Sequence, residues 1–130
     1  MPYMRIDVAA DTLEPALAQR LAEGATRLLA DILRKRREVT VVRVVPVPAG
    51  QWFAAGAPLG QDGLAAFAEV RITRGTNTDA EKAWFLAEFQ RLLTDSVGPL
   101  AAPVYTVIQE VANTDWGYDG LSQAERGGRP

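Results

Sequence analysis

The chain contains neither histidine nor cysteine among its 130 residues. Imidazole acid–base work, thiolate chemistry, disulfides and the commonest metal sites are therefore excluded. Catalysis must come from carboxylates, tyrosines, arginines, lysines or the amino terminus, and Pro2 stands out against that short list. It follows the initiator methionine and opens the stretch Tyr3-Met4-Arg5-Ile6-Asp7-Val8, in which Met4, Ile6 and Val8 alternate with Arg5 and Asp7. That period of two is the pattern of a half-buried strand. Proline, which lacks a backbone N–H, suits a strand's first position and fits poorly further in. Once Met1 is removed, Pro2 carries a free secondary amine held rigidly by the strand behind it. An α-amino group has a reference pKa of about 7.7–8.0. Burial and nearby cations lower that value and leave a neutral base at working pH. A Met-Pro start is common by itself, so the amine reading depends on the rest of the chain.

The elements that must position such a base are legible. With 48% hydrophobic and 23% charged residues and a net charge of −2, the composition is that of a soluble single domain with a real core. No apolar run reaches membrane-spanning length and no secretory leader opens the sequence, so a cytoplasmic location and no membrane partner are expected. After the first strand, Asp11, Thr12 and Pro15 mark a helix start, and Leu13, Leu17, Leu21, Leu28 and Ile32 recur at helical spacing. The run Arg34-Lys35-Arg36-Arg37 reads as a solvated helix end whose cations suit the macrodipole. No second basic patch accompanies it in an acidic chain, so no nucleic-acid partner is expected. Val39 to Val47 is the next strand. Arg43 within it is at an edge, paired with a carboxylate, or directed into a pocket. A small-residue segment, 54–65, is a loop or short hairpin joining two halves.

The halves repeat. A shift of 64 residues superposes Trp52 on Trp116, Tyr3 on Phe67, Ile6 on Val70, Val8 on Ile72 and Gly56 on Gly120. It also superposes Arg27-Leu28-Leu29 on Arg91-Leu92-Leu93, Asp31 on Asp95 and Val47 on Val111. Two copies are too few for a solenoid and point to a duplicated βαβ unit. In the second half Phe67 to Thr73 reads as a strand and Thr78-Asp79-Ala80-Glu81 as a capping box. Phe85, Phe89 and Leu92 form a helical stripe, Gly98-Pro99 ends it, and Val104 to Val111 is the fourth strand. The polar, glycine-rich tail from Asn113 to Pro130 is expected to fray at its end. The expected fold is α/β in the sense of an α+β sandwich: parallel strands within each unit, a four-stranded sheet, and two helices on one face. It forms one domain, 1–130, of two units at about 1–53 and 66–118. The other face, with Val41, Val45, Val47, Val107 and Val111 or their alternates, is expected to be apolar and covered in an oligomer.

A tandem βαβ chain that begins Met-Pro on a strand resembles the tautomerase superfamily, most of all fused members carrying two 4-oxalocrotonate tautomerase-like units. The residues that carry the resemblance are Pro2, Val-Pro-Ala-Gly-Gln-Trp-Phe at 47–53, Arg74 before the capping box, and Asp115-Trp116-Gly117-Tyr118. The first turn is similar to cis-3-chloroacrylic acid dehalogenase and the second to malonate semialdehyde decarboxylase. The resemblance implies a homotrimer of fused chains acting on a small carboxylic acid without cofactor or metal. It implies Pro2 as the catalytic group, Arg74 as a substrate-binding arginine, and Trp116 and Tyr118 as the aromatic wall. The family's second arginine falls on Asn77, and Arg71 or Arg43 would have to replace its charge. Ala66, at the start of the second unit, is internal and has no amine, so that unit is expected to be silent. The simplest chemistry is enol–keto tautomerisation of a small 2-oxo acid, an isomerase activity. Dehalogenation, hydration or decarboxylation of a three-carbon acid would need a further carboxylate, for which Asp115, Asp119 and Glu38 are the candidates. A non-catalytic oligomeric binding protein would keep Met1.

Overall fold

A computed structural model describes residues 2–59 and 64–127. The strand β1 (Tyr3–Ala9) leads into α1 (Pro15–Asp31) and β2 (Val41–Val47), followed by the short strands β3 (Phe53–Ala54) and β4 (Ala57–Pro58). The second half runs β5 (Ala66–Thr73), α2 (Asp79–Val97), β6 (Tyr105–Val111), β7 (Gly117–Tyr118) and β8 (Leu121–Ser122). The main sheet has the order β2-β1-β5-β6. Strands β1 and β2 are parallel, as are β5 and β6, and the two central strands meet antiparallel. Register places Met4, Ile6 and Val8 level with Val70, Ala68 and Ala66 on one face. There they form one buried core with Leu21, Ala25 and Leu29 of α1 and Phe85, Phe89 and Leu93 of α2. The expected α+β architecture with both helices on one face is therefore observed.

Local chemistry explains the helix starts. Pro15 opens α1, where its missing N–H has no partner to lose. At α2 the Thr78 hydroxyl accepts from the Glu81 N–H at 3.1 Å, and the Glu81 carboxylate accepts from the Thr78 N–H at 2.8 Å. The end of α1 differs from expectation. It stops at Asp31, short of the four cations, and Arg34 takes a left-handed backbone (φ 59°) that ends the helix. The cations are not a uniformly solvated end either, because Lys35 is only 4% exposed.

The elements recur at a spacing of 64, including two hairpins. In the turns that join β3 to β4 and β7 to β8, Ala55 and Gly56 have φ of 53° and 80°, and Asp119 and Gly120 have 52° and 86°. Two successive positive φ values make both turns type I′, which match the twist of a two-residue hairpin. The tail is accordingly held as far as Gly127: the Gln123 N–H donates to the Trp116 carbonyl at 3.0 Å and the Ala124 N–H to the Asn113 carbonyl at 2.9 Å. The expected fraying at 128–130, and part of the joining segment, 60–63, lie outside the described residues.

The open face is less apolar than expected. Val41, Tyr105 and Val107 are exposed on its outer strands. Register, however, brings Arg5, Asp7, Arg43, Glu69 and Arg71 onto the same side. Arg5 pairs with Asp7 at 2.8 Å and Arg71 with Glu69 at 3.1 Å. Alternation on the central strands puts every other residue outward, and four of these, Arg5, Asp7, Glu69 and Arg71, are charged.

Candidate active site

Pro2 is buried at the entrance to β1, and its carbonyl accepts from the Val41 N–H at 3.3 Å. Because β1 runs antiparallel to β5, the amino end of the chain lies beside the carboxyl end of β5, with Tyr3 level with Arg71. After β6 the chain returns as the β7–β8 hairpin and covers this end of the sheet. The result is a cavity of about 290 Å³. Pro2 and Tyr3 line it at the entrance to β1, Val39 from the turn before β2, Val41 from the first position of β2 and Arg71 from β5, while Trp116, Gly117 and Tyr118 close it from the hairpin.

Each of the three hairpin residues in the wall is fixed in place. The Trp116 indole Nε1 donates to the buried Thr73 hydroxyl at 3.1 Å. A Cβ at position 117 would overlap the Leu121 carbonyl, so glycine is required there. The Tyr118 ring is backed by Arg126, whose Cζ lies 3.8 Å from the ring centroid and whose Nη2 donates to the Tyr118 carbonyl at 3.1 Å. Sequence reasoning missed Thr73 and Arg126. Arg126 sits in an aperiodic tail, and nothing in its neighbours marks it.

No family model matches the chain. Over 60 residues it is 35% identical to the probable tautomerase K2 of Dickeya dadantii (strain 3937), a match covering 90% of that protein and 46% of this chain. The chain belongs to the tautomerase superfamily. A fused 4-OT protein, Q0, solved as a wild-type symmetric trimer, superposes with a TM-score of 0.84 at 18% identity, covering 96% of this chain and 98% of that one. The FG41 malonate semialdehyde decarboxylase inhibited by 3-bromopropiolate superposes at 0.75 with 21% identity, covering 98% and 97%. These two likenesses establish the fold.

Within the tautomerase superfamily framework, four of the six residues singled out from the sequence meet in one cavity: Pro2, Arg71, Trp116 and Tyr118. Arg74 and Arg43 do not line it. Arg74 is exposed just beyond β5, its N–H donating to the Val111 carbonyl at 2.9 Å. Its charge acts on Glu110, whose carboxyl is held below the usual carboxylate range, chiefly by Lys82 and with help from the Gly75 N–H and Arg74. Arg43 is level with Arg5 on the open face, one rung further from Pro2 than Val41. Asn77 is a brace, donating to the Leu33 carbonyl at 3.0 Å. Glu38 is exposed and paired with Arg36 at 2.7 Å. Asp115 and Asp119 line a shallow depression along the hairpin instead. Among the described residues that line the Pro2 cavity there is no carboxylate.

Proposed function

We propose that this protein is an isomerase that interconverts enol and keto forms of a small 2-oxo acid, with Pro2 as general base after removal of Met1. The observation that carries the reading is the position of Pro2 in a largely apolar cavity to which the described residues contribute one guanidinium, Arg71, and no carboxylate. The Pro2 nitrogen takes the enol hydroxyl proton and a proton is returned to the neighbouring carbon, so no net proton is gained or lost. Arg71 holds the substrate carboxylate and stabilises the charge that develops on oxygen. Val39, Val41, Trp116 and Tyr118 lower the local dielectric, which favours the neutral amine. A cavity of this size, near the lower end of ligand pockets at roughly 300 Å³, suits a small acid.

Hydration, dehalogenation and decarboxylation have less support, because Glu38, Asp115 and Asp119 stand outside the cavity. We further propose that the chain works as a homotrimer, one domain of two βαβ units per subunit, with the open face of each sheet covered. The exposed Val41, Tyr105 and Val107 and the trimeric assembly of the fused 4-OT protein Q0 support this. The test is an ultraviolet assay of phenylenolpyruvate ketonisation, run after intact mass confirms that Met1 is gone. Pro2→Ala is expected to lower the rate at least 100-fold, about 2.7 kcal/mol of barrier. No rate above buffer with a processed amino terminus would overturn the assignment.

A further inference from the structure

The basic run at 34–37 holds one residue that the proposed chemistry does not use. Arg36 pairs with Glu38, and Arg34 reaches Glu81 at 3.1 Å. Lys35 turns inward, 4% exposed, and makes no salt bridge among the described residues. Its Nζ donates to the Thr76 hydroxyl at 2.8 Å, and that hydroxyl donates to the Thr73 carbonyl at 2.7 Å. The side chain of the same Thr73 receives the Trp116 indole N–H.

We propose that Lys35 is a positioning residue for the Pro2 cavity, its buried ammonium fixing the Thr73–Thr76 turn and, through Thr73, the indole of Trp116. This deepens the tautomerase reading and rests on it for the meaning of the cavity. The mechanism follows from donor and acceptor inventories. An ammonium has three donors and no lone pair, so Thr76 must accept from it and is left to donate its own hydrogen to Thr73. A neutral amine has a lone pair, and the Thr76 hydroxyl is then free to turn from the Thr73 carbonyl toward nitrogen. Burial, and secondarily the neighbouring Arg34, bring the Lys35 pKa down to about 8, while Glu81 on α2 and Glu110 on β6 act more weakly in the opposite sense. Lys82 and Arg74 are the other charges on that side, both acting on Glu110. The arrangement therefore changes state within an ordinary working range of pH.

The sequence makes the test clean, since Lys35 and Lys82 are its only lysines and Trp52, Trp84 and Trp116 its only tryptophans. Protein labelled with ¹³C-lysine and ¹⁵N-tryptophan is titrated from about pH 6.5 to 11, reading lysine Cε and indole N–H signals by NMR. Lys35 is expected to titrate near pH 8, with Lys82 above its ordinary 10.5. The indole signal lost in Trp116→Phe should move with the Lys35 midpoint, and those of Trp52 and Trp84 should not. That movement should vanish in Lys35→Met and in Thr76→Val, the latter keeping the test open if Lys35→Met does not fold. A Lys35 midpoint at the ordinary value, or a flat Trp116 signal, overturns the proposal. So does a Trp116 shift that survives in Thr76→Val, which would belong to the Pro2 amine. None of these readouts requires turnover, so an inactive enzyme with an intact Lys35–Trp116 coupling would sink only the activity.

Discussion

Arg71 and Arg43 carry the same charge on the same open face, separated by the strand β1. Arg71 is level with Tyr3 and reaches the cavity, whereas Arg43 is level with Arg5, two residues further along, which is about 7 Å at the rise of a strand. A charge-assisted hydrogen bond to a substrate carboxylate contributes about 1.5–3 kcal/mol. Arg71→Ala should therefore raise KM for phenylenolpyruvate about 10- to 150-fold, while Arg43→Ala should change it less than about 3-fold. Steady-state kinetics on the two variants decide the matter, and equal effects would remove Arg71 from its role. At this scale the sequence was informative wherever a residue type is rare or its context odd. Pro2 is conspicuous at a strand's start, and Trp116 and Tyr118 share a short aromatic motif. Which of three arginines enters the cavity depended on the antiparallel meeting of β1 and β5, and no local pattern encodes that.

The two hairpins are equivalent elements whose tryptophans are anchored differently. The Trp52 carbonyl accepts from the Leu59 N–H at 3.1 Å as the Trp116 carbonyl accepts from the Gln123 N–H at 3.0 Å. Where Thr73 receives the Trp116 indole, the residue 64 positions earlier is Ala9, and the Trp52 Nε1 is buried with no partner among the described residues. A buried donor left unpaired costs about 1–3 kcal/mol. Ala9→Thr should supply the missing acceptor, stabilising the fold by about 1 kcal/mol and raising Tm by about 4 °C. Thr73→Val should do the reverse. Thermal unfolding of both variants checks this, and a lower Tm for Ala9→Thr would mean that the hydroxyl cannot reach the indole. The 64-residue repeat, both helices and all four long strands were legible because periodicity accumulates over seven or more residues. The two-residue strands had no period to read, although Asp119-Gly120 is a type I′ signal. The end of α1 had no signal at all, since a left-handed arginine stands where glycine usually does.

Over the whole molecule, groups whose pKa falls on folding make stability rise with pH at both ends of the scale. The Glu81 carboxyl is lowered first by the Thr78 N–H, and that of Glu110 first by Lys82. Groups whose folded pKa is depressed contribute fully above their unfolded value, about 4.3 for glutamate. Their contribution is lost as pH falls through the folded value, so acid weakens the fold. Lys35 gives the same sign at alkaline pH, because its desolvation penalty is relieved as it loses its proton. Its folded pKa of about 8 lies below the unfolded value of about 10.4. Between those values the unfolded chain binds more protons than the folded one, and stability rises with pH. From pH 7 to 9.5 the expected gain is about 2 kcal/mol at fixed protein concentration. Urea unfolding at the two pH values measures it, and Lys35→Met should abolish the rise while leaving the acid limb unchanged. Wild-type stability that stays level or falls over this interval would mean that the ammonium is not desolvated in the folded chain. The same curves distinguish Lys35 from the Pro2 amine, because a rise that came from Pro2 would survive in Lys35→Met.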